Sequence, residues 1–389
     1  MSEIFYNRIN SNLSELESSD NLRLLPHITH DGLYVWENNF RMLNLSSNDY
    51  LGVAADADLK KEFFEKYSIN ELQFSSSSSR LLTGNYLEFE EIENTLSSMY
   101  GSESALVFNC GYMANIGILP AICTKNTLIL ADKLVHASII DGIRLASASF
   151  VRYNHNNYDQ LERLVSENAS KYETIIIVTE SIFSMDGDLA DIKRILKIKK
   201  QYSNILLYLD EAHAVGVRGE FGLGLAEELN CLSEIDFLIG TFGKSFASSG
   251  AYVVCRKEIR AFLINKMRSF IFSTAMPALN VKWTNFILNK NKLWSQKRSN
   301  LKRISSYFSN AIKDKGYICN SESHIIPVIL GSSSNACRFA EKMKENGFYV
   351  LPIRKPTVPE NTARLRFSLN AELHENQLQK IISLIPNAL

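Results

Sequence analysis

Ile205-Leu206-Leu207-Tyr208-Leu209-Asp210-Glu211-Ala212-His213 reads as an apolar run of strand length that stops at a carboxylate. A strand apolar on both faces belongs in a sheet covered on both sides, which points to an α/β fold with a mostly parallel sheet. Upstream, Thr174-Ile175-Ile176-Ile177-Val178 has the same character. So do Ala105-Leu106-Val107-Phe108 and Thr127-Leu128-Ile129-Leu130, each followed by a helix-like stretch. Downstream, Ile235-Asp236-Phe237-Leu238-Ile239 and Ala251-Tyr252-Val253-Val254-Cys255 bracket a short loop that contains Gly243-Lys244. Open α/β sheets bind ligands outside the carboxyl ends of their strands. The residues that follow these runs are therefore the candidates for function.

Outside this core the rhythm changes. Ile4, Phe5, Ile9, Leu13 and Leu16 have near-helical spacing, which predicts an amphipathic helix within residues 4–25, lying on a larger body and ended by Pro26. Residues 32–36 and 41–45 read as a hairpin around Glu37-Asn38-Asn39, and Ser46 to Gly52 as a turn. The serine run 75–79 reads either as a flexible linker or as an ordered loop bracketed by Phe74 and Leu81-Leu82. Residues 257–310 are helical. The last part mixes strand-like runs at 324–330, 348–351 and 363–369 with helices at 335–347 and 375–384. The expected division is an N-terminal helix and hairpin segment (1–52), a large domain (53–284) and a smaller C-terminal α+β domain (285–389).

Composition sets limits. The chain has 389 residues, 46% hydrophobic and 22% charged, which is ordinary for a globular enzyme. Lys plus Arg and Asp plus Glu are both 42. That balance, without a basic cluster, argues against nucleic acid as a partner and leaves self-association open. The six cysteines are scattered with no C-x-x-C pair, which suggests a reducing compartment. No stretch reaches the roughly 18 to 20 apolar residues of a membrane helix. A cytoplasmic protein, not bound to a membrane, is expected.

Several strand-end residues could carry chemistry. Asp210 could cap the following helix, form part of a metal site with His213, or hold the proton of a pyridine ring. No third or fourth metal ligand has recognisable spacing, so no metal is expected. Gly111, where a strand meets a helix, could present backbone N–H groups to a phosphate. His136 is either a polar helix-terminal residue or a ring stacked on a planar cofactor. Thr179-Glu180-Ser181-Ile182-Phe183-Ser184 continues into a turn at Asp186-Gly187. Arg364 and Arg366 alternate onto one strand face, as solvated charges or as a grip on a carboxylate. Lys244, among small residues, could be a surface charge or an amine nucleophile. Neither G-x-G-x-x-G nor G-x-x-x-x-G-K-[ST] occurs, so dinucleotide and Walker-type sites are unsupported. Taken jointly, the phosphate-suited helix start, the strand-end aspartate and the strand-flanked lysine match a pyridoxal-phosphate site.

The chain resembles the α-oxoamine synthases, pyridoxal-phosphate enzymes of the aspartate-aminotransferase fold type, over nearly its whole length. The resemblance is carried by Leu45-Ser46-Ser47-Asn48-Asp49-Tyr50-Leu51-Gly52, Ser79-Arg80-Leu81-Leu82-Thr83-Gly84, Thr179-Glu180, Phe183-Ser184-Met185-Asp186-Gly187-Asp188, Asp210-Glu211-Ala212-His213-Ala214-Val215-Gly216 and Gly240-Thr241-Phe242-Gly243-Lys244. Arg354, Pro356-Thr357-Val358-Pro359 and Thr362-Ala363-Arg364-Leu365-Arg366 extend it to the C-terminal part. It implies a seven-stranded-type sheet, with Lys244 holding pyridoxal 5′-phosphate as a Schiff base and Asp210 on the ring nitrogen. His213 would contact the phenolic oxygen, His136 would stack on the ring and Ser184 would lie beside it. Gly111, Tyr112 and Thr241 would hold the phosphate. Thr274 would reach the phosphate of a partner subunit, so a homodimer with shared sites is expected. Arg366 would bind the amino-acid carboxylate, and Arg23, Asn48 and Thr357 match substrate positions. The implied reaction is a decarboxylative condensation of an amino acid with an acyl thioester. L-Alanine with a pimeloyl thioester, on CoA or a carrier protein, is the expected pair, ahead of the glycine-using and serine-using members or a silent cofactor-binding scaffold. One departure is local: residues 75–78 are serines where the family has glycines, and serine gives up freedom for positive φ.

Overall fold

The chain begins with a helix, Ser2–Ser18, in the computed structural model, which describes residues 2–388. Met1 and Leu389, the outer ends of the expected first and last segments, lie outside the described residues. The helix is shorter than the expected 4–25. Ser18 and Ser19 turn their hydroxyls back onto the Glu15 carbonyl, and Asp20 takes φ 54°, which ends the helical path. The expectation that it lies on a larger body is corrected as well. None of its residues is buried, and Ile4, Phe5, Ile9, Leu13 and Leu16 are exposed in the single chain.

Three strands follow as an antiparallel meander: β1 (Thr29–Asp31), β2 (Tyr34–Glu37) and β3 (Phe40–Asn44). Asn38 and Asn39 sit at φ 51° and 63° between the paired Glu37 and Phe40. A two-residue turn with both central residues at positive φ matches the strand twist, and asparagine tolerates it well.

The large sheet has seven strands in the order β4-β10-β9-β8-β7-β5-β6. They are β4 (Ser104–Phe108), β5 (Thr127–Asp132), β6 (Ser149–Tyr153), β7 (Thr174–Glu180), β8 (Ile205–Asp210), β9 (Phe237–Thr241) and β10 (Ala251–Cys255). Only β10 is antiparallel to its neighbours; all the others run the same way. Every residue of β4, β5, β9 and β10 is buried, as the apolar runs required. β6 escaped the sequence reading because it is an edge strand with four exposed positions and no apolar run. The common direction brings Gly111, His136, Glu180, Asp210 and Thr241 to the carboxyl ends of the strands that precede or contain them.

The C-terminal part contains β11 (Ile325–Gly331), β12 (Phe348–Tyr349), β13 (Pro352–Ile353) and β14 (Ala363–Ser368). β14 lies between β11 and β13, antiparallel to both, and is buried at every position. The expected single strand at 348–351 is divided. Phe348 and Tyr349 pair in parallel with β3, while Pro352 and Ile353 pair with β14. Gly347, at φ 83°, lies just past the helix Ser333–Glu345 and marks its C-terminal stop.

The residues group into two compact units. The smaller holds the chain up to Ala55, Met185–Asp188 and everything from Asn300 on; the larger holds Asp56–Ser184 and Leu189–Ser299. The N-terminal segment thus groups with the C-terminal strands, through β3 and β12. The change of unit falls at Asn300, beyond the expected 285. Trp283 and Phe286 pack on Phe63, at 5.2 and 5.5 Å between ring centroids, and Arg298 donates to the Glu220 carbonyl at 2.6 Å. These contacts keep residues 285–299 with the large unit. Among the described residues no helix is long and apolar enough to cross a membrane.

Candidate active site

Asp210 ends β8 with 6% of its surface exposed. Its Oδ1 accepts from the Ala212 backbone N–H at 2.9 Å and its Oδ2 from Asn115 Nδ2 at 2.9 Å. Both oxygens of this buried carboxylate are thus met by N–H donors, and hydrogen bonds to a charged group contribute about 1.5–3 kcal/mol each. Asn115 lies one turn into the helix Gly111–Ile122, and its Oδ1 accepts from Tyr208 Oη at 2.6 Å. Asn115 Nδ2 also donates to Ser138 Oγ at 3.0 Å, and Ser138 Oγ is 2.8 Å from His136 Nδ1. One polar chain therefore links the strand-end carboxylate to the imidazole.

His136 caps the N-terminus of the helix Ala137–Leu145, accepting at Nδ1 from the Ser138 backbone N–H at 3.2 Å. Its ring is accessible to solvent. Partial desolvation lowers its pKa, opposed by the Asp210 charge and reinforced by Lys244. A neutral imidazole at neutral pH can present its face to a planar ring.

Lys244 sits on the loop between β9 and β10, with Nζ 2.8 Å from His213 Nε2. The loop is held at both ends: Phe242 N–H donates to Gly250 O at 2.9 Å, and Ser248 N–H to Phe242 O at 2.9 Å. Ser245 Oγ donates to Val215 O at 2.5 Å. The small neighbours serve two purposes. A Cβ on Gly240 would stand 2.2 Å from the Tyr252 ring, so that glycine makes room for internal packing, whereas Gly243 lies on the accessible side. Thr241 Oγ1 donates to Gly250 O at 3.0 Å and accepts from Gly243 N–H at 3.2 Å, so it also shapes the lysine loop.

The helix Gly111–Ile122 starts after Cys110 with no side-chain cap, which leaves its first N–H groups to bind an anion. A Cβ on Gly111 would meet no protein atom within 4 Å. This open approach over an uncapped helix start suits a phosphate, and Asp210 and Lys244 suit a pyridinium aldehyde. The residues present therefore fit pyridoxal 5′-phosphate. Tyr112 Oη is turned to Asp141 at 2.6 Å, and Ser184 is buried after β7. Thr274 pairs with Ser79, and its carbonyl accepts from Asn109 Nδ2 at 2.7 Å. The serine run is ordered: Ser76 Oγ donates to Met276 O at 2.6 Å, and Ala275 N–H to Ser78 O at 2.9 Å. Ser77 takes φ 47°, a conformation that costs a non-glycine residue about 1–2 kcal/mol.

The smaller unit gathers the expected substrate residues into two groups. Arg366, 8% exposed, donates to Ser368 Oγ at 2.7 Å, Asn48 Oδ1 at 3.3 Å and Tyr50 Oη at 3.5 Å. Arg23 donates to Thr357 Oγ1 at 2.8 Å and to Lys355 O at 3.2 Å. Arg364 shares the burial of Arg366 but is bonded to Asp186 at 2.5 Å, so the solvated reading of this strand is replaced for both. Sequence reasoning assigned no role to Asn115, Ser138 or Glu180. Glu180 carried the same strand-end pattern that picked out Asp210, whereas Asn115 and Ser138 become visible only once the helices are placed.

A loop lysine whose amine meets His213, together with a buried aspartate at the end of β8 in a mostly parallel seven-stranded sheet, defines the class: a pyridoxal-phosphate enzyme of the aspartate-aminotransferase fold type. Comparison with known proteins leads to the same class. The chain belongs to the aminotransferase class I and II family, whose model matches residues 41–385. It is 50% identical over 378 residues to the "Putative 8-amino-7-oxononanoate synthase" of Glaesserella parasuis serovar 5, covering 97% of this chain and 99% of that one. The protein given the same description in Haemophilus influenzae Rd is 48% identical, with 95% and 97% covered. Among solved structures, serine palmitoyltransferase from S. paucimobilis, with a bound PLP–myriocin aldimine, matches with TM-score 0.88 at 27% identity, covering 97% of this chain and 96% of that one. The 8-amino-7-oxononanoate synthase of Francisella tularensis matches with TM-score 0.75 at 28% identity, covering 88% and 96%. The chain is a pyridoxal 5′-phosphate-dependent acyltransferase of the α-oxoamine synthase group.

Proposed function

We propose that the protein condenses L-alanine with a pimeloyl thioester, on CoA or a carrier protein, to give 8-amino-7-oxononanoate, CO2 and the free thiol, a step of biotin synthesis. The observation that carries this choice is the 50% identity, over 97% of the chain, to a relative described by that activity. Serine palmitoyltransferase is the better structural match by TM-score, at 27% identity, but a shared fold does not set the substrate.

Bound pyridoxal 5′-phosphate supplies an electron sink for the carbanion formed at the amino acid's α-carbon. Lys244 would anchor the group, and its amine, when free, would take the α-proton of the substrate. Asp210, held in place by Asn115 and Ala212, keeps the ring nitrogen protonated. His213 lies at hydrogen-bond distance from the Lys244 amine and would contact the cofactor's phenolic oxygen. His136 would cover the ring face, with Ser184 beside it. Gly111, Tyr112 and Thr241 would hold the phosphate. Arg366 and Asn48 orient the substrate carboxylate, and Arg23 with Thr357 serves the acyl partner. Two copies assemble, with Thr274 of each serving the other's phosphate, and the enzyme works in the cytoplasm.

The test is a thiol-release and CO2-release assay with three substrate pairs: L-alanine with pimeloyl thioesters, glycine with acetyl-CoA, and L-serine with palmitoyl-CoA. Turnover with the first pair, absent in Lys244→Ala, is expected. Turnover only with glycine would assign the 2-amino-3-ketobutyrate CoA ligase reaction instead, and turnover only with serine that of serine palmitoyltransferase. A protein with no turnover, and a cofactor absorbance unchanged by Lys244→Ala, would be a cofactor-binding scaffold.

A further inference from the structure

Glu180 is a buried titratable group that the reaction above leaves without a role. It closes β7 and stands directly opposite Asp210 in the β7–β8 ladder. The two are 3% and 6% exposed. Two carboxylates at adjacent buried strand ends cannot both hold a charge cheaply, and the proton settles on the one with fewer donors. Here the supply is unequal. Each Asp210 oxygen accepts an N–H. The Glu180 carboxyl accepts from the His136 backbone N–H, but its Oε1 is buried with no hydrogen-bond partner among the described residues. The charged groups that face it are Asp210 from β8, Asp132 from β5 and Lys244 from the β9–β10 loop. Burial, then the Asp210 charge, pushes the Glu180 pKa well above the usual carboxylate range; Lys244 and the His136 N–H oppose this, and Asp132 adds to it.

We propose that Glu180 is a positioning residue that works as a neutral acid: it carries the single proton of the strand-end pair, leaves the negative charge on Asp210, and anchors the turn that presents His136. The inference rests on the cofactor site described above, but its first test does not depend on any substrate. The charge at the ring end is then one carboxylate for one pyridinium. An ionised Glu180 would add a second, unbalanced anion in the same buried space.

The first measurement is the infrared difference spectrum between the purified full-length enzyme and Glu180→Gln near neutral pH. Loss of the C=O stretch of a protonated carboxylic acid is expected; loss of carboxylate bands instead would overturn the proposal. The second is a pH titration of the holoenzyme's cofactor absorbance. Glu180→Gln, which copies the neutral acid, should keep the midpoint of the parent enzyme and stay within about threefold of its kcat/KM. A midpoint moved down by about one unit would mean that an anion had been removed, and would overturn it. Glu180→Leu leaves the His136 N–H unpaired, and should weaken cofactor binding about tenfold, the effect of one buried unsatisfied donor. Affinity and midpoint equal to those of the parent in the leucine variant would also overturn it. A failure of the proposed substrate assignment would show only in the assay of the preceding section, because the infrared arm needs no substrate.

Discussion

The strand ends of the large unit and the arginine strand of the small unit solve the same problem with opposite charge. At the first, Asp210 and Glu180 are paired in register and buried. At the second, Arg364 and Arg366 are two residues apart on β14, and both are buried. In each pair the members are treated differently. Arg364 has its charge taken by Asp186, while Arg366 bonds to the neutral oxygens of Ser368, Asn48 and Tyr50. Glu180 is driven towards its neutral form, while Asp210 is held by neutral N–H donors. A buried charge matched by a counter-ion or a proton has become part of the framework. Sequence position does not separate the two kinds; what surrounds each side chain does.

The sharpest way to break this comparison is at the carboxylates. Asp210→Asn removes the anion while keeping the shape, and should lower kcat by about 10²- to 10³-fold. Glu180→Gln should cost only a few-fold by the same steady-state assay. Equal losses in the two variants would mean that both carboxylates carry charge.

The arginines give the next largest effect. Arg366→Ala should lower kcat/KM for the amino acid by about 10²-fold, mainly through KM. Arg364→Ala should leave that KM alone and lower thermal stability instead, by about 1–3 kcal/mol, since it leaves Asp186 without its partner and opens a buried position. The KM and melting-temperature measurements belong together, because a rise in KM for both variants would erase the distinction.

A smaller effect sharpens the picture of the same end of the sheet. Glu211, next to Asp210, accepts from the backbone N–H groups of Leu225 and Ala226 at 3.0 and 2.7 Å. Burial nevertheless raises its pKa from 4.5 to about 6. The folded state binds this proton more tightly than the unfolded chain does. Its contribution is therefore full below pH 4.5 and is lost as the pH rises through about 6. Denaturant titrations at pH 4.5 and 7 should show the parent protein losing about 2 kcal/mol across that window relative to Glu211→Gln. An identical pH slope in the two would place the titration elsewhere.

Much of the site was open to sequence reasoning. Asp210, His213 and Lys244 follow or join apolar runs, and such runs fold into strands whose ends share one edge. Other residues were hidden for physical reasons. β6 has no apolar run because only its last residue is buried. The helix Ser2–Ser18 has an apolar stripe, but nothing in the single chain covers it. Asn115 and Ser138 look like ordinary helix residues until the helices Gly111–Ile122 and Ala137–Leu145 bring them within 3.0 Å of each other.

By itself, the sequence determined the α/β class, the apolar strands of the large sheet and the residue types available at their ends. Apolar runs and turn chemistry are local properties, which any window of the chain displays. Only the tertiary structure decided how the charge of each of two similar residues is met. That choice depends on the partners that distant segments deliver: the Asn115 amide donates to Asp210, Asp186 accepts from Arg364, and the His136 N–H donates to Glu180. Hydrogen bonds act over a few ångströms and desolvation depends on what packs around a group, so both are set only once the chain has folded.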